Sequence, residues 1–160
     1  MFHDFRRNRR NPRRLHKPAV PEMTDKTFAP RGAPAPFVVV ESNPIIAADL
    51  AQSIGECPGG GPAITVRDHA GAQAELSSPG PRIAVFLPGE TGDEQAAALA
   101  LDPFIRVHGA SVVVMSGTLC SHQAELRGWH LLPLPFTPAM VHAVIAALSA
   151  SSSQPTPPAP

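Results

Sequence analysis

Ser116, Cys120 and His122 lie close together, and a hydroxyl or thiol near an imidazole is the raw material of nucleophilic catalysis. That chemistry also needs a positioned base and an oxyanion hole. No nucleophile elbow surrounds Ser116, so it reads as a residue that caps a turn. Of the seven histidines, His69, His108, His122, His130 and His142 fall in the central part of the chain, and no pair of these has HxxxH or HxH spacing. Cys57 and Cys120 are far apart and form no CxxC, so neither a metal site nor a cofactor is expected. Gly59-Gly60-Gly61 lacks the Lys-Ser/Thr of a phosphate loop and reads as a turn. No enzymatic activity is expected from this set.

The positioning elements come from the rest of the chain. Thirteen basic and 13 acidic residues cancel over 160 residues, and the balance is uneven. Positions 1–32 hold nine basic and three acidic residues, a net of +6, and the remainder is −6. Six prolines punctuate the first 36 positions. Such a stretch buries little apolar surface and repels itself, so 1–36 is expected to be a disordered basic arm. Positions 150–160, rich in Pro and Ser, are expected to be a disordered tail. The arm fits phosphate contacts with nucleic acid, an idle solvated tail, or a start-site artefact with translation beginning at Met23. No reading motif follows it, so nucleic acid is not the expected partner. The apolar runs fall far short of the ~20 residues of a membrane span. Phe2 to Lys17 offers no apolar core for a secretory signal, so a cytoplasmic protein without a membrane partner is expected.

Positions 37–149 alternate strand and helix. Apolar β-rich runs begin at Phe37, Ala63, Ile83 and Ser111, with a weak fifth strand at Leu131-Leu132. Helical spacing follows Ser42-Asn43-Pro44, whose chemistry suits a helix start. Gly71 to Leu76, Asp93 to Leu101 and Ser121 to Arg127 are expected to be helical, and the final helix starts at Thr137-Pro138. Met140, Val141, Val144, Ile145 and Leu148 form its apolar stripe and read as core. Strands alternating with helices imply an α/β fold: a doubly wound, five-stranded parallel sheet, with 2-1-3-4-5 a common strand order. Function is then expected at the carboxyl ends of the strands: Glu41-Ser42-Asn43, Leu87-Pro88-Gly89, Ser116-Gly117 and Pro133-Leu134-Pro135.

Four pieces, VVVESNPIIAADLA, AVFLPGETG, VVVMSG and LPLPFTPAMVHAVIAAL, resemble in order and spacing the response-regulator receiver domain of two-component signalling. The resemblance covers 37–149 and implies the flavodoxin-like receiver fold. In that family an aspartate accepts a phosphoryl group beside Mg²⁺, with a Ser or Thr and a Lys holding its oxygens. The family's acidic pair falls on Glu41 and Ser42, so one carboxylate remains. The acceptor position falls on Phe86 or Leu87, and Arg82 to Gly89 contains no Asp or Glu. The Ser/Thr position falls on Ser116, which is kept. The Lys position falls on Leu134, followed by Pro135 and Phe136. Glu90 is the nearby acid that could serve as a fixed negative charge.

The resemblance therefore implies a degenerate, stand-alone receiver-like domain that binds another signalling protein, or a second copy of itself, without phosphorylation. Its docking face is expected on the fourth helix, fifth strand and fifth helix, with Arg127, Trp129, Leu131 and Phe136 as anchors. Core packing is the competing reading of Leu131 and Phe136. The alternatives are a phosphorelay regulator with a displaced acceptor, or a nucleic-acid-associated protein using the Arg-rich arm.

Overall fold

A computed structural model describes residues 36–151. The expected arm and most of the expected tail lie outside the described residues. Ten elements alternate in chain order. They are β1 (Phe37–Val40), α1 (Pro44–Glu56), β2 (Ala63–Val66), α2 (His69–Ser77), β3 (Ala84–Pro88), α3 (Gly92–Val107), β4 (Ser111–Ser116), α4 (Ser121–Leu126), β5 (His130–Pro133) and α5 (Pro138–Ser151). All four strand pairings are parallel, and the sheet order is β2-β1-β3-β4-β5.

A parallel sheet carries helices on both faces, so its strands must be apolar on both sides. Alternate side chains accordingly divide between two cores. Val38, Val40, Val85, Leu87, Val112 and Val114 pack against Ala72 and Leu76 of α2, Leu101 and Ile105 of α3, and Ala124 of α4. Phe37, Val39, Phe86, Val113, Met115 and Leu132 pack against Leu50 and Ile54 of α1 and Val141, Ile145 and Leu148 of α5.

Local chemistry sets the helix starts. Asn43 accepts from Ile45 N–H at 3.0 Å, with Pro44 in the first turn. Asp68 accepts from Gly71 N–H at 2.8 Å, so α2 starts two residues earlier than expected. Thr91 and Glu94 form a reciprocal capping box on α3. The triple-glycine turn behaves as expected: Gly60 N–H donates to Cys57 O at 2.9 Å. A Cβ on Gly60 would sit 1.8 Å from Ile54 O, so this close approach requires glycine.

Two helix ends also differ from expectation. Helix α5 runs to Ser151, past the expected end at 149. Helix α3 runs on to Val107, through Pro103, instead of stopping near Leu101. An interior proline costs about 3 kcal/mol, because it removes one helical bond and crowds the carbonyl four residues back. Here that carbonyl belongs to Leu99, on the exposed side of the helix. Beyond Pro103, Ile105 is fully buried, a gain of about 1.5–3 kcal/mol by itself. Arg106 adds polar ties: its Nε donates to Asp102 at 2.8 Å, and its Nη2 donates to Arg127 O and Gly128 O at 3.0 and 3.1 Å. Asp102 also accepts from the Trp129 indole N–H at 3.1 Å. The end of α3 is thereby fastened to the turn before β5, and these gains outweigh the proline.

Two outcomes follow. Pro103→Ala should raise stability by about 1–3 kcal/mol in urea unfolding; an unchanged midpoint would mean that the proline imposes no strain. His130 is half-buried, and desolvation lowers its pKa from 6.5. The unfolded chain then binds the extra proton more readily, so this group carries no ionisation cost well above pH 6.5 and destabilises the fold as pH drops below it. Melting temperatures at pH 7.5 and 5.5 should therefore differ less in His130→Gln than in the wild type.

Candidate functional site

At the carboxyl ends of the strands the core gives way to a cleft of about 380 Å³. Its lining includes Glu41 and Ser42 after β1, Arg67, Asp68 and His69 after β2, Pro88 and Glu90 at the end of β3, and Met115 and Leu134. The Pro88–Met115 pairing ends the β3–β4 ladder here. A smaller hollow of about 260 Å³, beside Pro44 and Ala47, shares Glu41, Ser42 and Arg67.

Each acidic side chain at the cleft holds a backbone amide. Glu41 Oε1 accepts from Asn43 N–H at 2.7 Å, closing the turn into α1. Asp68 and Glu94 accept from Gly71 and Thr91 as helix caps. Glu90 Oε1 accepts from Gly117 N–H, across to the loop after β4. The Glu90 carbonyl also accepts from the Thr118 hydroxyl at 3.1 Å, so two bonds tie the β3–α3 loop to the β4–α4 loop. Gly89 N–H donates to Met115 O at 2.9 Å, and a Cβ on Gly89 would sit 2.3 Å from Val114 Cγ1. Only glycine lets the two loops approach this closely.

Ser116 is buried, and its hydroxyl oxygen accepts from Thr118 N–H at 3.1 Å and Leu119 N–H at 2.9 Å. It thus caps the turn before α4. Cys120 and His122 follow on the exposed N-terminal turn of α4, and neither hydrogen-bonds to Ser116. His69 lines the cleft, and its buried Nε2 has no hydrogen-bond partner among the described residues. No group of three or more His, Cys, Asp or Glu side chains among the described residues could hold a metal ion.

The structure brings together Glu41, Ser42, Pro88, Glu90 and Leu134, and adds Arg67, Asp68, His69 and Glu94. Sequence reasoning left out Arg67, Asp68 and His69 because it omitted the end of β2, which the order β2-β1-β3 places beside β1. Phe86 and Leu87 do not face the cleft. Both are fully buried, Phe86 towards α1 and α5 and Leu87 towards α2 and α3, and the β3 residue at the cleft is Pro88.

Of the expected docking anchors, Trp129 is the one that is buried. Trp129 is only 4% exposed and packs in the core, with the Arg127 guanidinium 4.9 Å from its ring centroid. Leu131 and Phe136 are partly buried against the two cores. Pro135 is exposed, after a cis Leu134–Pro135 peptide. The freely exposed large apolar side chains include Leu126 on α4 at 75%, on the expected face, and Ile45 on α1 at 78%, away from it.

No family model matches the sequence, and no curated protein matches it. Solved structures do resemble it. A response regulator from Thermotoga maritima superposes with a TM-score of 0.59 at 14% identity, over 72% of this chain and 98% of its own. The receiver domain of a Francisella response regulator gives 0.58 at 13% identity, over 73% and 98%. A protein of Burkholderia pseudomallei described as pilus-assembly-related gives 0.57 at 16% identity, over 76% and 93%. The described chain is therefore a five-stranded α/β domain with the flavodoxin-like receiver fold, strand order 2-1-3-4-5.

Proposed function

We propose that this chain is an atypical receiver-like domain of two-component or phosphorelay signalling that acts by binding another protein and carries no phosphoryl group. One observation carries the reading: the cleft already holds its own fixed anion. The Glu90 carboxylate occupies the Gly117 amide, the first backbone donor beyond β4. The Ser116 hydroxyl accepts from the turn that follows it. Strand β3 meets the cleft with Pro88, and the loop after β5 meets it with Leu134. Phosphoryl transfer needs a carboxylate to attack and fixed positive charge to hold the product. Pro88 supplies no nucleophile and Leu134 no cation. The fold shared with named response regulators supports the signalling part of the reading.

A displaced acceptor is the rival reading, and Glu90 is the carboxylate it would use. Incubation with acetyl phosphate and Mg²⁺ should leave the intact mass unchanged. A hydroxylamine-sensitive phosphate adduct on the protein would overturn the proposal. The clamp has its own test: Glu90→Ala should speed amide hydrogen exchange at Gly117, and Glu90→Gln, which keeps an acceptor oxygen, should restore the slow rate. Equal exchange in all three proteins would show that the side chain does not hold the loop.

A further inference from the structure

Helix α3 is apolar on the side turned away from the sheet. Ala98, Leu101 and Ile105 are its buried residues and point into the core. Ala96, Leu99, Ala100, Pro103 and Val107 are exposed, and their spacing of three and four residues puts them on one outward stripe. Leu99 is 45% exposed and Val107 83%. A helix that is apolar all round is normally covered on both sides, and an exposed apolar stripe marks a contact site. The outer face of α2, which packs beside α3, continues the stripe without charge: its exposed residues are Ala70, Gln73, Ala74 and Ser77.

The ends of α3 decide what the stripe fits. Asp93 and Glu94 stand in the first turn and Arg106 in the last, with His108 just beyond. A second α3 laid antiparallel across the first sets each acidic end against a basic end, and the two helix dipoles then oppose. The shapes match as well. In the register that places Leu99 opposite Ala100 of the other copy, each Leu99 enters a hole made by Ala96, Leu99, Ala100 and Pro103 of its neighbour. The small side chains around that hole let the helix axes approach to about 8–10 Å. A twofold pair makes every one of these contacts twice, so one stripe with opposite charges at its ends is complementary to itself.

We propose that α3 pairs antiparallel with α3 of a second copy of this chain, the two Leu99 side chains interlocked at the centre of a twofold dimer. With 16 residues, α3 is about 24 Å long. A strip of that length falls short of the ~800 Å² per partner of a standard interface, so one and two copies exchange in the micromolar range or above. This association goes beyond the reading of the cleft and does not depend on it.

Sedimentation of the full chain from about 1 μM to about 1 mM tests it. The mass should rise from one copy to two, and Leu99→Glu should raise the dissociation constant at least about tenfold. Leu99 is exposed, so this variant should keep the wild-type circular dichroism spectrum. A second measurement uses Ala100→Cys in a Cys120→Ser background. Oxidation with diamide should link two copies through position 100, and adding Leu99→Glu should stop the link. One copy at every concentration, a dimer that Leu99→Glu leaves intact, or no link through position 100 would overturn the proposal. None of these failures would alter the acetyl phosphate result, so the two readings fail separately.

Discussion

A sheet made only of parallel strands has no face for water, and most of this molecule follows from that constraint. The strands must be apolar on both sides, the crossovers must be helices, and the helices must cover both faces. Val38 and Val40 therefore face α2 and α3, and their neighbours Phe37 and Val39 face α1 and α5. Shifting a strand by one residue would exchange its two faces, which differ in the helices they meet. The register also decides what reaches the cleft: pairing Pro88 with Met115 leaves Phe86 and Leu87 buried two and one residues earlier.

At the carboxyl ends of the strands the ladder stops, and unpaired backbone amides accumulate in a small space. Acidic side chains fill that need here. Glu41, Asp68, Glu90 and Glu94 each accept from a nearby amide and so act first as structural caps. Their charges do not cancel in the process, because an amide satisfies one lone pair and supplies no net positive charge. Capping chemistry thus leaves a concentrated negative field at the edge where α/β folds place their ligands. Trp129 shows the complementary case: its indole and the Arg106 guanidinium converge on Asp102, and that network fastens a helix end instead of forming a site.

The alternation of elements and their order were legible from periodicity, because the buried strands form short β-rich runs and the helices begin with capping residues. The length of α3 was not legible, since Pro103 reads locally as a stop and only the burial of Ile105 and the reach of Arg106 carry the helix past it. The site was half legible. Glu41, Glu90, Ser116 and Leu134 sit at strand ends that the pattern marks. Arg67, Asp68 and His69 join them only because β2 lies next to β1, a fact of sheet order that adjacency in sequence does not express. Trp129 misled for a related reason: an aromatic beside an arginine suits an exposed anchor and a buried one equally well, and tertiary packing decides between them.

Fold and chemistry separate cleanly in this domain. What a receiver scaffold contributes is geometry: loops held close at one edge of a rigid sheet. Here Gly89 permits that approach and Glu90 fastens it, so the loop after β4 is held by a carboxylate that belongs to the chain itself. A switch needs two states whose balance a ligand or a modification can bias. A carboxylate built into the chain contributes the same contact at all times and shifts no equilibrium. The clamp therefore favours one fixed arrangement of the two loops.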